Sequence, residues 1–105
     1  MTRKIYPQTD EIVYLEAQIN YTILHLKNGR KIVSSTTLKY HQADSCLDGF
    51  LRVHRSYLIN PDFIKNIVRE RTKTIAQLLD GRELEVSRRR VELVKNLRYS
   101  IENTF

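Results

Sequence analysis

The sequence predicts a mainly β domain, with small antiparallel sheets and short helices between and after them. Three observations predict this. Two β-rich stretches are each broken by a hairpin dipeptide, Asn28-Gly29 and Asp80-Gly81. Strand-like and helix-like segments follow in the order strands, helix, strands, helix, without the strict alternation that a doubly wound parallel sheet needs. With 105 residues, the chain suits one small domain with a modest core.

The elements follow in order. Residues 1–10, "MTRKIYPQTD", lack periodicity and contain Pro7, so they read as a linker or flexible N-terminus, and the domain proper is expected over residues 11–105. "EIVYLEA" (11–17) is rich in β-formers and predicts a strand. In "NYTILHLKNGRKIVSS" two β-rich runs flank Asn28-Gly29, the favoured pair for a type I′ turn, in which both central residues take positive φ. Along its first strand Tyr21, Ile23 and His25 face one side, and Leu24 and Leu26 the other. "STTLKYHQADSCLDG" (35–49) reads as one helix. Ser35 to Thr37 offer an N-cap, Leu38, Ala43, Cys46 and Leu47 form an apolar stripe, and Gly49 stops it.

"FLRVHRSYLIN" (50–60) reads as short extended pieces. Leu51, Val53, Leu58 and Ile59 suit a core, and Arg52, His54, Arg55 and Ser56 interrupt it. The extended run should end before Pro61, which cannot donate to a ladder. "FIKNIVRERTKTIAQLLDGRELEV" repeats the hairpin logic, with strands near 63–70 and 74–79 and a turn at Asp80-Gly81 toward Leu84 and Val86. "SRRRVELVKNLRYSI" (87–101) predicts a C-terminal helix. Ser87 is its N-cap, and Val91, Val94, Leu97 and Ile101 recur on one face.

Composition narrows the function classes. Hydrophobic residues make up 41% and charged residues 29%, the profile of a soluble globular domain. No apolar run is long enough to span a bilayer, and the N-terminus lacks the apolar stretch of a signal peptide. Cys46 is the one cysteine, which forbids an intramolecular disulfide and fits a reducing cytoplasm. No Cys/His spacing suggests a metal site, and no cofactor is expected. The net charge of +6 favours a polyanionic partner.

The charge is unevenly distributed. Arg88, Arg89 and Arg90 fall in the first turn of the last helix, where the helix dipole disfavours cations. That placement suits an external anion approached by backbone N–H groups and arginines together, nucleic-acid phosphate being the obvious candidate. The alternative is a solvated charge run whose stems pack on the core. A second basic set comprises Arg52, Arg55, Lys65, Arg69, Arg71 and Lys73.

In "HRS", His54 and Ser56 invite a hydrolase reading, but no third member and no G-x-S-x-G elbow accompany them. A structural role for His54, bracing its turn, fits better. The planar fork of Arg55 suits phosphate or the O6/N7 edge of guanine. His25 and His41 are isolated, one in a strand and one on a helix, and read as non-functional. Asn20 either caps a turn or projects an amide toward a base, and spacing favours the turn. Tyr14, Tyr21 and Tyr57 lie in β-rich runs without forming a stacking row. Glu83 and Glu85 share a strand face among arginines and read as a charge-balanced surface.

"FLRVHRSYLIN" resembles the signature of the LytTR DNA-binding domain, the output domain of bacterial response regulators of the LytR/AlgR/AgrA type. "IVYLEAQINYTILHLKNGRKIVSSTTL" resembles that family's first strands and the start of its first helix. "LLDGRELEVSRRRVELVK" resembles its last hairpin and terminal helix. The resemblance covers about residues 10–101. It implies an elongated β-β-β arrangement of small antiparallel sheets that reads DNA with loops rather than with a recognition helix. Carried onto this sequence, it implies base contacts from Asn20, Arg55 and Arg89, and phosphate contacts from Ser56, Arg88 and Arg90. Pro61 departs from the pattern, which more often has an apolar residue there. Family members usually carry a receiver or other regulatory domain N-terminal to this one, and none stands in these 105 residues.

The expected function is sequence-specific binding of double-stranded DNA, as the output domain of a bacterial two-component transcriptional regulator. It is not expected to be an enzyme. A second protomer on tandem sites is the expected protein partner, and the cytoplasm the expected location. The competing classes are an RNA-binding module, a small hydrolase built on His54 and Ser56, and a protein-binding module. Aromatics aligned on an exposed sheet would mark the first, and an apolar surface patch the last.

Overall fold

The structure, a computed structural model, describes residues 6–91. A 3-10 turn at Thr9–Glu11 leads into β1 (Ile12–Ala17), β2 (Thr22–Leu26) and β3 (Lys31–Ser34). A short helix α1 (Leu38–Gln42) and a 3-10 turn at Ser45–Leu47 follow, then β4 (Leu51–His54) and β5 (Tyr57–Ile59). A 3-10 turn at Pro61–Phe63 opens the second sheet, β6 (Ile64–Arg69), β7 (Thr74–Leu78) and β8 (Glu83–Val86), and another spans Arg88–Arg90. The first sheet has the order β3-β2-β1-β5-β4 and the second β6-β7-β8, with every pairing antiparallel. The fold is mainly β with small sheets and short helices, and it is elongated, 50 × 26 × 21 Å along its principal axes.

The central strand β1 explains the layering. Ile12, Val13, Tyr14 and Leu15 are all buried, so both of its faces meet protein. Val13 and Tyr14 join Val53 and Ile59 against Ile64, Ile67, Ala76, Leu78, Leu84 and Val86 of the second sheet. Ile12 and Leu15 join Leu24, Leu26 and Leu58 beneath Leu38 and Leu47. The five-stranded sheet is thus covered on one face by the three-stranded sheet and on the other by α1 and the turn after it. A bulge between Ile12 and Tyr14 lets the adjacent Val13 and Tyr14 enter the same core, where a regular strand would send them to opposite faces. Burying each such side chain contributes about 1.5–3 kcal/mol.

Two local expectations need correction. The helix expected over 35–49 covers only Leu38–Gln42. Asp44 takes an extended conformation and its carboxylate accepts from the Cys46 amide, which starts a separate 3-10 turn. That side-chain bond competes with helical hydrogen bonding at the point where the stripe should continue. Of the stripe, Leu38 and Leu47 are buried whereas Ala43 and Cys46 are exposed. The type I′ turn at Asn28-Gly29 is also absent, because among the described residues only glycines have positive φ. Gly29 has φ 88°, its amide bonds the Leu26 carbonyl, and the Leu26 amide bonds the Arg30 carbonyl. This is a three-residue loop closed by a glycine bulge. The loop at Leu79–Gly81 has the same pattern, with Gly81 at φ 94° and matching bonds between Leu78, Gly81 and Arg82.

Asn60 fastens the start of the domain. It is buried, its amide bonds the Val13 carbonyl, and its side chain donates to the carbonyls of Ile12 and Thr9. Within the segment expected to be a linker, the Tyr6 hydroxyl lies 2.7 Å from Nδ1 of the buried His41, whose Nε2 lies 3.0 Å from Ser34 Oγ. Strand β5 ends before Pro61, which opens a 3-10 turn capped by Asn60. The helix expected over 87–101 falls largely outside the described residues. Its described start is the 3-10 turn at Arg88–Arg90, after which Val91 has helical dihedrals.

Candidate nucleic-acid interface

Three connections meet at one end of the five-stranded sheet. The loop between β1 and β2 is closed by the Gln18 amide bonding the Tyr21 carbonyl, and it leaves Asn20 exposed. Because β1 pairs with β5 up to Glu16↔Tyr57, and the Ala17 amide bonds the Ser56 carbonyl at 2.8 Å, this loop adjoins the β4–β5 turn. That turn carries exposed Arg55 and half-buried Ser56. The Ser87 amide bonds the Val53 carbonyl at 2.8 Å, which brings the Arg88–Arg90 turn alongside β4. Asn20, Arg55 and Arg89 thereby come from three adjacent connections, and all three side chains are exposed.

The β4–β5 turn contains no glycine, so side chains hold it. The Ser56 amide donates to His54 Nδ1 at 3.0 Å. Arg52 donates from Nε to the His54 carbonyl at 2.8 Å and from Nη2 to the Arg55 carbonyl at 2.6 Å. Its Nη1 reaches Gln42 Oε1 at 2.7 Å, which ties the turn to α1. A rigid planar fork is suited to holding two carbonyls at once. Burial, and next the nearby Arg90 charge, lower the Arg52 pKa from its ordinary value. Arg90 in turn donates from Nη1 to the Arg52 carbonyl at 3.1 Å. His54 therefore braces the turn, as expected, and its ring meets the backbone amide of Ser56 rather than a hydroxyl nucleophile.

Two of the three arginines after Ser87 stay exposed. Arg88 and Arg89 are exposed and Arg90 is half-buried. Ser87 makes no side-chain cap bond, and the Arg90 amide bonds the Ser87 carbonyl instead. Among the described residues no carboxylate pairs with Arg55, Arg88 or Arg89; the ion pairs are His25–Glu16 and Arg82–Asp80. Unpaired, exposed guanidinium groups at adjacent turns can donate to phosphates or base edges. Glu83 and Glu85 are exposed on β8, and Glu83 accepts from Gln77. No group of three His, Cys, Asp or Glu side chains among the described residues could hold a metal ion.

The LytTr DNA-binding domain model matches residues 3–98 of this chain. The chain belongs to the LytTR family. A solved structure from Bacillus cereus, described as a LytTr DNA-binding domain of a response regulator, has the same fold. It superposes with a TM-score of 0.69 at 21% identity, over 82% of this chain and 79% of that one. No curated protein matches the sequence significantly. LytTR is a DNA-binding family. Among the described residues of this LytTR domain, no helix is long and apolar enough to cross a membrane.

Sequence reasoning misses two features of the domain. Charge alone groups Arg52 with the basic surface, although its alternation with buried Val53 places it beside His54 on the turn-forming face. Spacing makes His25 look isolated, yet it is buried at the seam between the sheets. Its Nε2 lies 2.9 Å from Glu16 Oε1, and Arg82 Nη1 donates to its Nδ1 at 3.2 Å. Since Arg82 can only donate, the imidazole proton sits on Nε2 and is given to Glu16. The ring stacks on Tyr14 at 4.3 Å, and Arg82 also donates to the Tyr14 hydroxyl at 3.1 Å. Burial lowers the His25 pKa, the Arg82 and Lys31 charges lower it further, and Glu16 opposes them.

Proposed function

We propose that this domain binds double-stranded DNA in a sequence-specific manner by presenting its clustered turns to the major groove. Asn20, Arg55 and Arg89 read base edges in this scheme. Ser56, Arg88 and Arg90 contact phosphates, Arg90 with the donors left over from its bond to the Arg52 carbonyl. The observation that carries the proposal is the convergence of three exposed polar side chains on adjacent connections held together by backbone hydrogen bonds. Holding such turns rigid before binding lowers the ordering cost of recognition.

The wider setting belongs to the same proposal. The domain acts as the output module of a cytoplasmic two-component regulator without enzymatic activity, in which an N-terminal receiver or other regulatory domain brings two protomers to tandem sites. Phosphate contacts supply affinity and salt dependence, and the arginine forks supply base discrimination.

The test begins with sites selected from a random duplex library. Arg89→Ala should weaken the selected site by about 1–3 kcal/mol and relax preference at one base pair, whereas Arg88→Ala should weaken all duplexes about equally. Unchanged binding of Arg89→Ala to selected and random duplexes would sink the base-reading assignment. Stronger competition by single-stranded RNA than by duplex DNA would favour an RNA-binding module instead.

A further inference from the structure

A polar groove of about 620 Å³ lies between the β6–β7 hairpin tip, β8 and the start of the Arg88–Arg90 turn. Arg69, Arg71, Lys73 and Arg88 line it, against the two carboxylates Glu70 and Glu85. The tip is well defined: Arg69 pairs with Thr74, and the Glu70 amide bonds the Lys73 carbonyl at 2.8 Å. Arg71 and Lys73 are exposed there, and among the described residues neither forms an ion pair. None of these hairpin residues belongs to the three turns already assigned to DNA.

We propose that this groove is a second phosphate site, which clamps the sugar-phosphate backbone of the duplex beyond the base pairs read by the turns. Its occupant is set by continuity. Arg88 borders the groove and stands next to Arg89 in the same turn, so a backbone that passes Arg88 reaches the hairpin tip. Cations outnumber carboxylates along the wall, which suits a polyanion rather than a neutral or cationic ligand. Flexible cations at a tip suit phosphate, which demands charge more than fixed geometry. The inference rests on the DNA-binding reading above.

The experiment compares two duplexes carrying the same selected site, one trimmed to the site and one extended by about one helical turn, or about 10 base pairs, on each side. Affinity is measured across a salt series for the wild type, Arg71→Ala/Lys73→Ala and Arg71→Glu/Lys73→Glu. The wild type should show a log–log salt slope on the long duplex that is steeper by about 2 than that of the alanine variant. On the trimmed duplex the wild type and the alanine variant should agree, and the glutamate variant should lose the most on the long one. Circular dichroism verifies that each variant is folded. Equal slopes on the long duplex, or equal losses on both duplexes, overturn the clamp while the DNA-binding reading stands. A wild type that binds no duplex overturns both.

Discussion

The β2–β3 and β7–β8 hairpins share their turn chemistry and differ in where the arginine after the glycine ends. In one, Asn28 Oδ1 accepts from the Arg30 amide at 2.9 Å; in the other, Asp80 Oδ1 accepts from the Arg82 amide at 3.0 Å. A positive-φ glycine closes each loop. Arg30 then ends in solvent, on a hairpin whose outer strand β3 leaves Val33 exposed. Arg82 instead reaches across to the first sheet, to Tyr14 and His25. Equal local chemistry builds the turn in both places, and only the neighbouring sheet makes the second arginine structural.

The sharpest way to break this comparison is to truncate the two arginines. Arg82→Ala should destabilise the domain by about 1–3 kcal/mol, because Tyr14 and His25 lose a charged donor. Arg30→Ala should stay within about 0.5 kcal/mol, as exposed substitutions do. Chemical denaturation measures both, and similar losses would mean that the seam contributes nothing.

The glycines should remove the difference again. Gly29→Ala and Gly81→Ala each have open space around the added carbon, so only backbone strain is at stake. Each should cost about 1–2 kcal/mol, and thermal unfolding should rank them together. A markedly larger loss at Gly81 would show that the two turns are not equivalent.

The β4–β5 turn extends the comparison to a connection without glycine. Arg52→Ala removes the donors that hold the His54 and Arg55 carbonyls and should cost about 1–1.5 kcal/mol of stability. Under the proposed function it should also weaken DNA binding, although its own donors are engaged by the turn and by Gln42. Arg52→Lys should restore charge without the planar fork and rescue only part of the loss. Full rescue by lysine in a DNA titration would reduce the role of Arg52 to its charge.

The smallest effect concerns pH. His25 is held below its ordinary value of 6.5, so the unfolded chain takes up the proton first. The stability from neutral His25 is complete above that value and declines as pH falls through it. Protonating Nδ1 would also set a cation against Arg82. His25→Gln should flatten the stability profile between neutral pH and pH 5, and an unchanged slope would assign the acid sensitivity elsewhere.

Legibility in the sequence tracks the range of the interactions. Hairpins were legible because Asn-Gly and Asp-Gly act within a few residues, although the turn type was not. The extended pieces that became β4, with Val53, and β5, with Leu58 and Ile59, were legible from their apolar residues, whereas the roles proposed for Asn20, Arg55 and Arg89 come from their place in motifs that resemble a family. The extent of α1 was not legible, because Asp44 bonds its own backbone, a local competition that the apolar stripe conceals.

The sequence by itself determined the strand and turn order, the basic surface and the family, since all of these rest on residue types and short spacings. Only the tertiary structure decided which arginines remain outside. Arg82 meets partners 57 and 68 positions away, and Arg90 a carbonyl 38 positions away. Arg52 is claimed within its own hairpin, by carbonyls that only its bulged pairing with β5 presents together. A guanidinium looks the same in every sequence. Whether it holds the fold or stands free for DNA depends on which carbonyls, rings and carboxylates the sheets bring within its reach.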